Sequence, residues 1–307
     1  MIDPQIVLQI LWTGLATSTY AVLFAAAFAL VLKVVKVWNF AQAGMMGIAF
    51  YSMYFAVHKL GLPGYASIAI GLACTIAAAM VLEVYGLQTF RRRNSPSLTF
   101  FIFTMIVSEF VQYVLSMIFG TEPVSLATTL ISPAHVVSGI MITERDLIAI
   151  AVTVALMAGL YVLLMRTHQG KYMLAAADNP QLSRLYGINI KRIYALTFVV
   201  ASILICGGMY LFGTRAALVP TTPMEMMIFS VIAALLGGMG NVFGAAIAAI
   251  VLTLLRSFSI LVIPSAWQSV VLYALLFITI LFFPKGVSFK RRPRPAPVAT
   301  PTQPAKA

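Results

Sequence analysis

Charged residues are scarce in this chain. Asp, Glu, Lys and Arg make up 9% of its 307 residues, while 61% are apolar, whereas soluble domains carry about a quarter charged residues. A water-exposed globular surface is therefore excluded. Acids are rarer still, with eight Asp and Glu against twenty Lys and Arg. The three glutamates within or beside apolar runs, Glu83, Glu109 and Glu225, are isolated from one another, so an intramembrane enzyme with converging acid, base or metal groups finds no support. His58, His135 and His168 sit outside the span centres and lack metal-ligand spacing. The two cysteines, Cys74 and Cys206, lie inside apolar runs and read as small buried hydrophobes. Short alternating segments of the kind that build a β-barrel are missing. The start, Met-Ile-Asp-Pro, lacks the basic head and small-residue cleavage site of a signal peptide, so the first apolar run is expected to remain as a permanent span.

What is present is a succession of apolar runs long enough to cross a bilayer, about 20 residues each. They lie near 6–32, 38–57, 65–89, 98–119, 146–165, 194–213, 224–261 and 266–283. The expected fold is all-α, a polytopic transmembrane helical bundle of about eight spans with one glycine-broken or re-entrant segment. Residues 1–288 form the transmembrane domain and 289–307 a basic, proline-rich, disordered cytoplasmic tail. With the N-terminus outside, 16 of the 20 Lys and Arg fall on the inner side. The outer side receives Lys59, Arg145 and Arg215, with Arg256 near the outer end of a run. This asymmetry predicts a multi-pass protein of a bacterial-type inner membrane with a cytoplasmic C-terminus. The net charge of +12 thus reports topology, with Lys290, Arg291, Arg292 and Arg294 of the tail read as a solvated topology anchor or as a contact with anionic membrane lipid, and nucleic acid is not an expected partner.

The run 224–261 is too long for one ordinary helix and contains "GGMGNVFG". Each glycine lowers helix stability by about 1 kcal/mol relative to alanine, so a break is expected near Gly237 to Asn241. At membrane depth such a break is tolerable only where its backbone faces protein or a watery cavity.

The stretch "AADNPQLSRLYGINIKR", 176–192, interrupts the apolar runs with charge, proline and glycine. Asn179 is placed to cap a helix opening at Pro180, Leu182 and Leu185 share a face, and Gly187 supplies a left-handed stop. Asn189 is placed to cap the next span. The product is a two-turn capped helix within the largest inner loop, 166–193. Its two physical readings are a knob that docks into a soluble partner and an amphipathic connector resting on the lipid interface.

The segments "ADNPQLSRLYGINIKRIYALTFVVASILICGGMYLFG" (177–213), "AALLGGMGNVFGAAIAAIV" (233–251) and "VWNFAQAGMMGIAFY" (37–51) together resemble the permease subunits of branched-chain amino acid ABC transporters. The resemblance extends over nearly all of residues 8–288. It implies that Asp178, Asn179, Pro180, Arg184, Gly187, Ile188, Asn189 and Arg192 form a cytoplasmic coupling element seated on a separate ATP-hydrolysing subunit. It further implies a second permease, identical or related, and an external substrate-binding protein. The chain is expected to carry no cofactor, ATP being bound by the partner. Its only Gly-Lys pair, Gly170-Lys171, has Met165 and Tyr172 where a phosphate-cradling loop needs glycine and Ser or Thr.

Candidate residues of the substrate pathway are Asn39, Gln42 and Gly44 at one span entrance, Glu109 near mid-bilayer, and Gly237, Gly238 and Asn241 at the expected break. Small residues and amides at a helix entrance or break can expose backbone dipoles to a zwitterion; tight helix packing is the alternative. Relatives commonly carry His-Gly after Asn-Phe-Ala, where this chain has Gln42 and Ala43. Glu109 lies about 16 Å along its helix from Leu98, where an acid costs several kcal/mol unless it is paired, hydrated or protonated. It is suited to attracting a substrate ammonium, or to hydrogen bonding with Gln112, Tyr113 or a partner. Glu83, two turns before Arg91, is placed to snorkel inward or to pair there, a structural role. The expected function is the membrane-spanning permease of an ATP-driven importer for branched-chain or other hydrophobic amino acids. Alternatives are a permease of the same class for urea, amides or sugars, and a proton-coupled secondary transporter using Glu109.

Overall fold

The computed structural model describes residues 4–127, 134–137 and 140–259, with isolated positions as far as 281. The expected span over 266–283, the domain boundary at 288 and the tail lie outside the continuously described residues. Ten helices and one hairpin occupy the described part: α1 (Pro4–Val35), α2 (Ala41–His58), α3 (Gly64–Arg92), α4 (Ser97–Phe119), β1 (Ala134–Val137), β2 (Ile140–Thr143), α5 (Glu144–Arg166), α6 (His168–Asp178), α7 (Pro180–Leu185), α8 (Ile190–Gly213), α9 (Thr222–Leu236) and α10 (Val242–Ser259). Six of them, α1, α3, α4, α5, α8 and α10, are long and apolar enough to cross a membrane. This is a polytopic helical membrane protein.

The bundle has a hub and a rim. In its most apolar window α1 is 78% buried and α8 67%, whereas α4 and α5 are each 22% buried. α1 packs against α8, α9 and α10, and α2 against α3, α4 and α8. The centre is filled by Leu23, Phe24, Phe28, Phe50, Met53, Phe198 and Ile205. Such a core cannot draw on the hydrophobic effect between helices already in hydrocarbon, so close packing matters more. Gly208 of α8 shows how it is achieved, because a Cβ there would meet the ring of Phe24.

The rim helices turn large apolar side chains outward: Ile102, Ile106, Phe110 and Met117 on α4 and Ile148, Val154 and Val162 on α5 are all exposed. In a bilayer these are lipid-facing or partner-facing surfaces. Cys206 is buried, as its apolar setting predicts, but Cys74 is exposed on α3. An apolar run alone does not tell which side of a helix turns inward.

α3 departs from regular geometry over Leu82–Leu87, which form a π-helical turn. The two-stranded hairpin pairs Ala134 with Thr143 and Val137 with Ile140. It is fastened to α1 through Gln9, which accepts from the Met141 amide at 2.8 Å. At the start of α5, Thr143 caps the helix by accepting from the Asp146 amide.

The long run expected over 224–261 is two helices, α9 and α10, joined by a turn at Gly237–Asn241. Gly238 and Gly240 adopt positive φ, +94° and +85°, which only glycine takes without strain. The turn lies beside Lys33, whose Cγ would be 3.8 Å from a Cβ on Gly240. It therefore sits level with the end of α1 rather than halfway along it.

Candidate functional site

One end of the bundle collects Lys33, Lys36, Arg91, Arg92, Arg93, Arg166, Lys171, Arg184, Lys191 and Arg192, and from it projects the segment 167–189. The sequence predicts one short helix there; the structure contains two. Thr167 opens α6 by accepting from the Gly170 amide at 3.0 Å, and Gly170 lies so close to α5 that a Cβ would overlap the Leu163 carbonyl and Leu164. α6 was not foreseen because its polar and apolar residues mix without a long apolar run, and its burial at Met173 and Ala176 depends on neighbours distant in sequence.

Asn179 then turns the chain. Its Oδ1 accepts from the amides of Gln181 and Leu182 at 3.1 and 3.0 Å, Pro180 occupies the first helical position, and Gly187 has φ +81°. The Gly187 and Ile188 amides close the end on the Arg184 and Ser183 carbonyls. Asn189 caps α8 by accepting from the Arg192 amide at 3.3 Å. Asp178 ends α6, exposed, and its carbonyl accepts from Lys36 Nζ at 3.5 Å, which ties this projection to the chain leaving α1.

The tip of α7 is apolar in the wrong place for a free surface. Leu185 is 85% exposed and Tyr186 79%, with Leu182 and Tyr172 also exposed and Arg184 beside them. Between α6 and α7 lies a cleft of about 430 Å³ lined by Lys171, Tyr172, Asp178, Leu182, Tyr186 and Ile188 among others. Apolar anchors ringed by charge are what a protein partner recognises.

The pathway candidates fall in three places. Asn39 and Gln42 lie at the connection between α1 and α2, each 1% exposed, and none of their four amide nitrogen and oxygen atoms has a hydrogen-bond partner. The chain is non-helical around Asn39, while Gln42 lies in the first turn of α2: Lys36 has φ +58°, and Thr104 Oγ1 on α4 accepts from the Phe40 amide and donates to the Trp38 carbonyl. Gly44, one turn into α2, packs against Ser108 and Val111 of α4. Glu109 is half-buried on α4, and among the described residues it forms no hydrogen bond or ion pair, with Gln112 and Tyr113 or otherwise. Gly237, Gly238 and Asn241 are in the turn after α9. There Asn241 caps α10 through the Gly244 amide at 3.1 Å, and Gly237 abuts Gly244 so closely that a Cβ would overlap its carbonyl carbon. For these three the geometry gives a structural task.

The opposite end holds a polar cluster that sequence reasoning treated only as topology. Arg215 donates to Asp146 Oδ1 at 2.6 Å and Arg145 to the Thr214 carbonyl at 3.1 Å. Two adjoining cavities, about 340 and 140 Å³, share Arg145, Leu211 and Thr214 in their walls. Their pairing joins α5 to the end of α8, 69 residues apart, which spacing along the chain could not reveal. Among the described residues no group of three or more His, Cys, Asp or Glu is placed to hold a metal.

A many-helix bundle with a buried hub, a lipid-facing rim and a polar projection at its basic end defines a membrane permease subunit. The chain belongs to the permease components of branched-chain amino acid transport systems, the family whose model matches residues 10–280. It is 27% identical over 294 residues to the high-affinity branched-chain amino acid transport system permease protein BraD of Pseudomonas aeruginosa, covering 91% of this chain and 95% of the relative. It is likewise 27% identical over 296 residues to LivH of Escherichia coli, covering 91% and 94%. Among solved structures, PsaBC from Streptococcus pneumoniae in complex with Fab aligns over 89% of this chain and 92% of that one, at TM-score 0.48 and 15% identity.

Proposed function

We propose that this permease is the membrane-spanning subunit of an ATP-driven importer of branched-chain or other hydrophobic amino acids. Its relatives BraD and LivH are named as high-affinity branched-chain permeases, and it aligns with them over nearly their whole length. The observation that carries the ATP-driven reading is the α6–α7 projection, a capped knob with exposed apolar anchors at its tip. An ATPase subunit on the cytoplasmic side binds it through Leu182, Leu185, Tyr186 and Arg184, with Asp178, Asn179, Pro180, Gly187, Ile188, Asn189 and Arg192 fixing its shape. The basic end is accordingly cytoplasmic and the N-terminus external. An external binding protein delivers cargo to the Arg145–Arg215 end, and a second permease completes the pore.

The cargo path runs past Asn39 and Gln42. Two buried amides with every polar atom unpartnered cost about 1–3 kcal/mol per unsatisfied group, a cost that water or a zwitterionic cargo relieves. Gly44 lets α2 approach α4 beside them. Glu109 adds a carboxylate one residue beyond Ser108, available to a cargo ammonium. Gly237, Gly238 and Asn241 act at a greater remove, by holding the α9–α10 turn.

The test is reconstitution in proteoliposomes with and without the ATPase subunits and external binding protein. Labelled leucine accumulates only with ATP, motor and binding protein present. Accumulation driven by a proton gradient without the motor, and abolished by Glu109→Gln, would instead establish a secondary transporter.

A further inference from the structure

A second charged site lies at the basic end, away from the projection. Glu83 of α3 is fully buried and ion-paired with Arg91 of the same helix. Arg91 in turn holds its guanidinium carbon 4.6 Å from the centre of the Tyr194 ring on α8, a cation–π contact. Tyr194 is itself buried and stands just over one turn beyond Asn189, the cap that follows α7. The chain Glu83–Arg91–Tyr194 thus adds a charged link between the first turns of α8, where force from the projection must enter, and α3, which also packs along α8 directly.

The π turn is what makes the link possible. Eight residues apart in a regular α-helix, two side chains point about 80° away from each other. A π turn absorbs one residue and cuts that offset to about 20°, which brings Glu83 and Arg91 onto one face. A bulge that costs helix regularity and serves to bury a carboxylate is not explained by stability, because an apolar pair of similar volume is often as stable or more so than a buried ion pair. Nor is the pair saturated: Glu83 Oε2 and Arg91 Nη1 are buried without partners. A charged pair with spare hydrogen-bonding capacity has more than one arrangement open to it.

We propose that Arg91, held by Glu83, is a positioning residue of the transport cycle, passing displacement of the α7–α8 junction through Tyr194 to α3. This rests on the ATP-driven reading above. α3 and the start of α8 then move as one body while the rim helices α4 and α5 move independently.

The experiment uses the full complex in proteoliposomes and measures cargo moved per ATP hydrolysed. ATP-dependent uptake by the wild type is the first arm, and its absence would refute the ATP-driven reading itself. Given that uptake, Arg91→Gln and Tyr194→Leu should lower cargo per ATP at least about fivefold, the lower end of ordinary coupling energies, with ATP hydrolysis and complex recovery retained. Tyr194→Phe, which keeps the ring, should stay near wild type. Unchanged cargo per ATP in Arg91→Gln and Tyr194→Leu overturns the proposal, as does a loss of uptake that only tracks loss of complex. Because Arg91→Gln leaves Glu83 buried alone, the double variant Glu83→Gln with Arg91→Gln removes both charges together. A second measurement needs none of these variants. Spin labels at Thr89→Cys and Gln181→Cys, with Cys74 and Cys206 replaced, should hold a constant separation between ATP-bound and ATP-free complexes. A change of about 5 Å, one helical turn, would show that α3 does not follow the projection.

Discussion

The α6–α7 projection and the α1–α2 connection are both non-spanning, polar and at the basic end of the bundle, yet their side chains are used in opposite ways. In the projection, Thr167, Asn179 and Asn189 each spend an oxygen on a backbone amide, so its helix ends are satisfied locally while one side of α6 packs on the bundle. In the connection, Asn39 and Gln42 are buried with nothing to bond, while a threonine on another helix, Thr104, serves the backbone in their place. A polar residue that satisfies its own backbone is architecture. One that is buried and unpartnered keeps hydrogen-bonding capacity that the protein itself does not fill. The two segments also touch, through Lys36 and the Asp178 carbonyl.

Four experiments sharpen or break that contrast. The largest effect is expected at the exposed tip: Leu185→Glu or Arg184→Glu should weaken ATPase binding by two or more orders of magnitude, the scale of an interface hot spot, with the permease still folded by circular dichroism. Retained binding would mean that the apolar tip faces lipid. Next, Gln42→Leu exchanges an idle amide for an apolar group of similar size. Removing an unsatisfied group should leave the melting temperature unchanged or higher, by the equivalent of about 1–3 kcal/mol, while uptake falls at least about tenfold. A lower melting temperature with normal uptake would make the amide structural after all.

Smaller effects test the architecture of the projection. Gly187→Ala forces a Cβ into φ +81° and should cost about 1–2 kcal/mol locally, seen as faster hydrogen exchange at the Gly187 and Ile188 amides. Asn179→Ala should cost about 1 kcal/mol, and Asn179→Gly only a few tenths, measured by exchange at the Gln181 and Leu182 amides. If the alanine variant exchanged like the wild type, the α7 cap would be ornamental.

The span positions were largely legible, because crossing a bilayer imposes length and apolarity on consecutive residues. The expected runs at 98–119 and 194–213 reappear as Ser97–Phe119 and Ile190–Gly213. The α7 cap was legible for a related reason, since Asn, Pro and Gly act within four residues of their own position. The π turn in α3 was not, because nothing in "LEVYGL" distinguishes it from α-helix until Glu83 must reach Arg91. Glu109 could be placed at mid-depth by counting, but whether it faced the core or away from it could not. The idleness of Asn39 and Gln42 was equally hidden, as a list of residues does not say which partners fail to arrive.

From order alone, then, come the membrane, the approximate positions of most long helices, the charge asymmetry between the two faces and the capped knob, all of them consequences of local composition acting over a few turns; the count of spans does not, since six described helices are long and apolar enough to cross and the one over the expected 38–57 run is not among them. Three-dimensional packing decided the rest: which helices form the hub, where the glycine turn falls in depth, which acids are paired and which amides are stranded. Most of those outcomes depend on groups distant in sequence being brought together, and burial in hydrocarbon turns each such meeting, or its absence, into an energy of several kcal/mol.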